Sequence, residues 1–113
     1  MRWWDLTRIE APDGTRDPVV LATENGARAV VIALSPGQGL GDHEVTERAW
    51  ISVVEGSVHV STGAEERECG AGTLMTFEPH ERRAIRSDGG ARILMLLAPW
   101  PGEDHFRGHD RSA

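Results

Sequence analysis

The sequence predicts an all-β domain, a sandwich or barrel of short antiparallel strands. Its runs of β-branched and aliphatic residues are short, and turn signals separate them about every ten residues. No segment keeps a 3.6-residue apolar period over three turns, which leaves no amphipathic helix to compete.

The elements follow in order. Residues 1–18 read as an N-terminal segment that packs on the sheets or on a dimer partner, because Trp3 and Trp4 would be a liability if left bare. Val19 to Thr23 and Ala27 to Leu34 are strand-forming runs. Asn25-Gly26 between them is a hairpin turn in which both residues take positive φ. Ser35 to Gly41 is a glycine-rich connection. Trp50 to Val54 is a strand closed by Glu55-Gly56, and Val58-His59-Val60 alternates after it. Thr62 to Glu65 turns, and Gly70-Ala71-Gly72 punctuates again. Leu74 to Phe77 is a strand ended by Glu78-Pro79, and Ala84 to Arg86 is a short one. Ser87 to Gly90 is a hairpin-type turn. Ile93 to Ala98 is continuously apolar, the pattern of a strand covered on both faces. Residues 99–113 carry prolines, glycines and mixed charge and read as an extended tail fraying to disorder.

A length of 113 residues suits one domain with a modest core. The net charge of -6 argues against a nucleic-acid partner, since the nearest basic cluster is only Arg82-Arg83-Ala84-Ile85-Arg86. The longest apolar run, Ile93 to Pro99, is far below a membrane span. The start, Met1 to Leu6, is too short and too acidic for a secretory signal. The single cysteine, Cys69, forms no internal disulfide and has no adjacent cation or histidine to make it a reactive thiolate. A cytoplasmic protein with neither nucleic-acid nor membrane partner is the expectation.

Two stretches carry a further signal. Gly37 to Gly56 holds a glycine, a strand bearing His43, a hydrophobic strand and the closing Glu55-Gly56. Gly72 to Ile85 holds a glycine, a strand and a proline turn at Pro79. With the ending Ala98-Pro99-Trp100-Pro101-Gly102, the chain from about Val19 to Ala98 resembles the small single-domain cupins. The resemblance implies a cupin-like double-stranded β-helix, a jelly-roll barrel over residues 19–98 with a pocket inside. It also implies a homodimer paired through a sheet face. Metal-binding cupins place two histidines two apart on one strand, so that both face the interior. A glutamate and a third histidine complete a set suited to a divalent transition metal with open positions.

This chain keeps part of that set. His43 matches the first histidine, but Val45 stands at the second. Ala49 stands at the glutamate's place, with Glu47 two residues short of it. Arg83 and Ala84 occupy the region of the third histidine. On a straight strand His43 and Glu47 would share a face but sit roughly 13 Å apart, so they meet only if the chain turns near Val45-Thr46. His43, Val45 and Glu47 are expected to point into the barrel, with His43 and Glu47 as the candidate catalytic acid–base pair. If a metal is bound, its ligands are His43, Glu47 and His80, the last swung inward by a shifted turn at Pro79. Arg83 would repel a divalent cation from the pocket. It would instead pair with Glu47 or take the carboxylate or phosphate of a small ligand, with Trp50 and Val45 as further ligand contacts. Plainer readings stand beside these. His43 is then a satisfied loop-end histidine, His80 a turn residue beside Pro79, Trp50 a packing or interface residue, and Arg83 turned to solvent by a one-residue slip. His59, between Val58 and Val60, is expected to face away from the core.

Three functions remain open. The first is a binder of a small, anionic molecule, with no cofactor expected. The second is a metal-dependent or acid–base enzyme of the oxygenase, isomerase, decarboxylase or cyclase type. The third is a non-catalytic structural or regulatory partner. Ligand count and charge favour little metal: protein purified without added metal is expected to carry well under one transition-metal ion per chain. Near-stoichiometric zinc, iron, nickel or manganese in elemental analysis would overturn this.

Overall fold

The computed structural model describes residues 1–10 and 18–100, with Asp42 and His43 as backbone only. Among the described residues eight strands run in order: β1 (Val19–Glu24), β2 (Ala27–Leu34), β3 (Gly39–His43), β4 (Arg48–Thr62), β5 (Glu66–Gly70), β6 (Leu74–Phe77), β7 (Arg83–Arg86) and β8 (Ala91–Ala98). All pairings are antiparallel. A first sheet has the order β1-β2-β8-β4-β6, using the front half of β4. A second has the order β5-β4-β7-β3, using its back half. The architecture is the expected curled all-β jelly roll. Among the described residues no helix is long and apolar enough to cross a membrane.

The hairpin turn expected at Asn25-Gly26 forms, with φ of 53° and 75°. The strand expected to close at Glu55-Gly56 instead runs on, and β4 is 15 residues long. A register shift lies between Val53 and Glu55, and Gly56 takes φ 75°. Such a bulge bends a strand without ending its pairing. Only glycine fits there: a Cβ on Gly56 would lie 2.2 Å from the Gly90 carbonyl oxygen. One strand thereby serves both sheets and turns their inner faces toward each other.

The core fills the space between. Ala49, Ile51 and Val53 from the front of β4 are buried, as are Val58 and Val60 from its back half. Val30, Ile32 and Leu34 of β2 join them, with Ile93, Met95 and Leu97 of β8. Each of these Val, Ile, Leu and Met side chains contributes about 1.5–3 kcal/mol on burial, and Ala49 less. The apolar run in β8 is not covered on both faces as expected, because Leu96 points outward and is 41% exposed. β5 was not evident in the sequence. Glu66, Arg67 and Glu68 are exposed and only Cys69 is buried, which is how an edge strand avoids further pairing.

The termini dock only in part. The Arg92 guanidinium donates to the Ile9 carbonyl at 2.6 Å and ties the N-terminal segment to β8. Trp3 and Trp4 nevertheless stay exposed in the single chain. The Trp100 N–H donates to the Gly26 carbonyl at 2.6 Å, and the Arg28 guanidinium stacks 4.3 Å from the Trp100 ring. The rest of the expected tail, 101–113, lies outside the described residues.

Replacing Gly56 by Ala is expected to destabilise the fold by about 2 kcal/mol or more, through the positive φ and the collision with Gly90. Urea unfolding should show a lower midpoint at constant slope. Gly63→Ala, where nothing lies within 4 Å of the added carbon, should change the midpoint little.

Candidate functional site

The site is built on β7. Alternation along this short strand sends Arg83 and Ile85 inward, and Ser87 continues the pattern just beyond it; all three are 1% exposed. Register fixes this direction from two sides. Ile85 lies opposite Val60 and Arg83 opposite Thr62 on β4, while Arg83 also lies opposite His43 on β3. Facing residues in an antiparallel ladder share a side of the sheet, so buried Val60 commits Ile85, and with it Arg83, to the interior. The alternative in which Arg83 turns to solvent with Arg82 does not hold. Arg82 alone is exposed there, 3.8 Å from the Glu44 carboxylate.

Arg83 is poorly served where it sits. Its Nε, Nη1 and Nη2 atoms are all buried and have no hydrogen-bond partner among the described residues. Its contact is the Phe77 ring, whose centroid lies 4.8 Å from Cζ. Burial pushes its pKa below the ordinary guanidinium value, and the Glu81 carboxylate pushes it back up. A guanidinium remains protonated under either influence. Removing such an ion from water costs several kcal/mol, and a cation–π contact returns about 2.

The other sequence candidates are scattered around this point. Glu47 is 1% exposed and accepts a hydrogen bond from the Thr46 hydroxyl at 2.7 Å. It lies at the end of residues 44–47, the connection between β3 and β4, which bends at Thr46 and Glu47. Val45 is half-buried against the core, and its carbonyl accepts from the His80 N–H at 2.8 Å. The His43 side chain lies outside the described residues. His80 is a correction: it sits on an exposed turn at φ 67°, with Nδ1 3.9 Å from Glu44, and is not swung inward. Trp50 is a second correction. Ala49 and Ile51 take the interior, so Trp50 faces outward opposite Leu96 and Thr76.

A cleft of about 450 Å³ opens where the ends of β4, β5 and β6 meet. Val60, Met75 and Phe77 form apolar walls, with Thr62, Arg67 and Glu81 among its polar ones. Sequence reasoning passed over Phe77 and Glu81. The parity Phe77 shares with Met75 on β6 was the available signal for Phe77, whereas Glu81 lies in the turn between β6 and β7, where alternation carries no information.

No protein-family model matches the sequence, and no curated protein does. Solved structures do. A protein with a double-stranded β-helix domain from Klebsiella pneumoniae superposes with a TM-score of 0.78 at 17% identity, covering 89% of this chain and 92% of that one. An RmlC-like cupin from Desulfovibrio desulfuricans gives 0.77 at 17% identity, covering 88% and 97%. A cupin superfamily protein from Desulfitobacterium hafniense gives 0.74 at 14% identity, covering 82% and 85%. The chain has the cupin fold. At these identities the likeness establishes the fold alone.

A metal-binding cupin needs imidazole and carboxylate donors converging in the barrel. Among the described residues no group of three His, Cys, Asp or Glu side chains is placed to hold an ion. Val45 and Ala49 offer no donor, and Arg83 brings a fixed positive charge to the interior.

One histidine outside the barrel has a defined environment. His59 faces outward as expected, with Nε2 2.8 Å from Glu66 and Nδ1 3.3 Å from Glu68. Hydrogen bonds to Glu66 and then Glu68 raise its pKa above the ordinary imidazole value. Its contribution to stability is therefore full below that ordinary value and is lost as pH rises through the raised one. NMR titration should place the His59 midpoint above that of a free imidazole, and Glu66→Gln should move it down.

Proposed function

We propose that this cupin-fold protein binds a small anion in its barrel, with Arg83 as the anchor. The observation that supports this is the buried guanidinium whose N–H groups find no acceptor among the described residues. A carboxylate or phosphate would supply two charge-assisted hydrogen bonds in one plane. It would also neutralise the charge that burial makes costly. The same charge disfavours a resident metal, so no cofactor is assigned.

Arg83→Met separates this reading from a structural role. Removing an ion that lacks hydrogen-bond partners should leave the ligand-free protein as stable or more stable, by up to about 4 kcal/mol. The same substitution should abolish the thermal stabilisation that carboxylates or phosphate give the wild type. Loss of stability without ligand, or binding that survives the substitution, would refute the anchor.

A second copy of the chain is the proposed partner. Trp50 and Leu96 are exposed and directly paired on the outer face of the first sheet, next to exposed Leu74. Sedimentation equilibrium at micromolar concentration should give the mass of two chains, and Trp50→Glu should shift it toward one.

A further inference from the structure

We infer that the ligand of Arg83 is a monocarboxylate with an apolar body, seated in the cleft at the ends of β4, β5 and β6; this rests on Arg83 being the anion anchor. Three neighbours of Arg83 line that cleft. The Phe77 ring stands 4.8 Å from its guanidinium carbon. Thr62 lies directly across the ladder from it. Glu81, two residues earlier, acts on its charge. Arg83 does not itself line the cleft, and its guanidinium is buried behind these three residues, so the cleft is the side from which a ligand would have to reach it.

The lining then sets the chemistry of what approaches. Contact with the face of an aromatic ring leaves the in-plane N–H groups of the guanidinium available, and those are the groups a carboxylate engages. Phe77 and the carboxylate are therefore held together, not in competition. A cleft of about 450 Å³ has room for far more than a carboxylate. The remainder of the ligand rests against Val60, Met75 and Phe77, which favours an apolar body. At the rim Arg67 lies 3.6 Å from Glu65, so these two charges largely offset each other and Glu81 leaves the rim negative. A second anionic group on the ligand is repelled there.

Isothermal titration calorimetry on the full chain tests this with benzoate, phenylacetate and hexanoate against succinate and inorganic phosphate. The best monocarboxylate should bind at least tenfold tighter than succinate or phosphate, and Arg83→Met should abolish all binding. Ala64→Trp, which places a bulky ring on an exposed turn at the rim, should weaken the monocarboxylate about tenfold. Glu81→Gln should narrow the disadvantage of succinate severalfold. Succinate or phosphate binding more tightly, with loss in Arg83→Met, would overturn the ligand class and leave the anchor standing. Monocarboxylate binding unchanged by Ala64→Trp would overturn the placement in the cleft. No heat from any of the five at millimolar concentration would overturn both the class and the anchor.

Discussion

The bend of β4 at Gly56 is the constraint on which the rest of the molecule depends. Before it, the odd-numbered residues Ala49, Ile51 and Val53 face the interior; after it, the even-numbered Val58 and Val60 do. The irregular register between Val53 and Glu55 accommodates that switch. Without it, a strict two-residue period would bury His59 and expose Val58 and Val60. The bend also delivers the back half of β4 to β5 and β7, so the second sheet takes its facing from it. A side chain at Gly56 would meet both the Gly90 carbonyl and Ala91, so the hinge and the neighbouring β8 turn are fitted to each other.

The position of Arg83 follows from that facing. Its strand is pinned by Val60 opposite Ile85 and by Leu40 on the other side. Just beyond the strand, the Ser87 hydroxyl donates to the Ser57 carbonyl at 2.7 Å, and the Ser87 N–H donates to the Gln38 carbonyl. Turning Arg83 outward would require a one-residue slip of β7, which would expose Ile85 and break the Ser87 contacts. The fold therefore holds a cation in an apolar interior, against the local preference of that side chain. When surrounding structure enforces such a conflict, the conflict points toward function.

Much of the fold was legible because its signals are local. Asn25-Gly26 needs positive φ at both residues, and the Leu74–Phe77 run between Gly72 and Pro79 has sharp punctuation at both ends. What stayed hidden depends on partners distant in sequence. β5 shows no apolar alternation because its exposed edge carries Glu66, Arg67 and Glu68. Trp50 resembled a pocket residue until pairing with Leu96 placed it on the outer wall. The motif spacing brought Arg83 to attention, but its direction is set by Thr62 and His43, which lie 21 and 40 positions earlier in the chain. Glu47 could be read as a candidate, yet its burial depends on a turn that separates β3 from β4, and no glycine or proline marks that turn.

A buried guanidinium and a metal ion make different uses of the same barrel. A metal draws electron density from its ligands and can lower the pKa of bound water to about 7. A guanidinium has no empty coordination site, but it presents N–H donors in a fixed plane that matches two oxygens of one anion. It therefore orients without strongly activating. In this chain the difference is reinforced by what stands around the charge. Phe77 covers the guanidinium from one side, and Val45 and Ala49 supply hydrocarbon where donors would be needed. An apolar surround strengthens a charge-assisted hydrogen bond by excluding the water that competes for it. The interior that makes a bare Arg83 costly is thus the same one that, under the proposed reading, would make it selective for the anion that fills it.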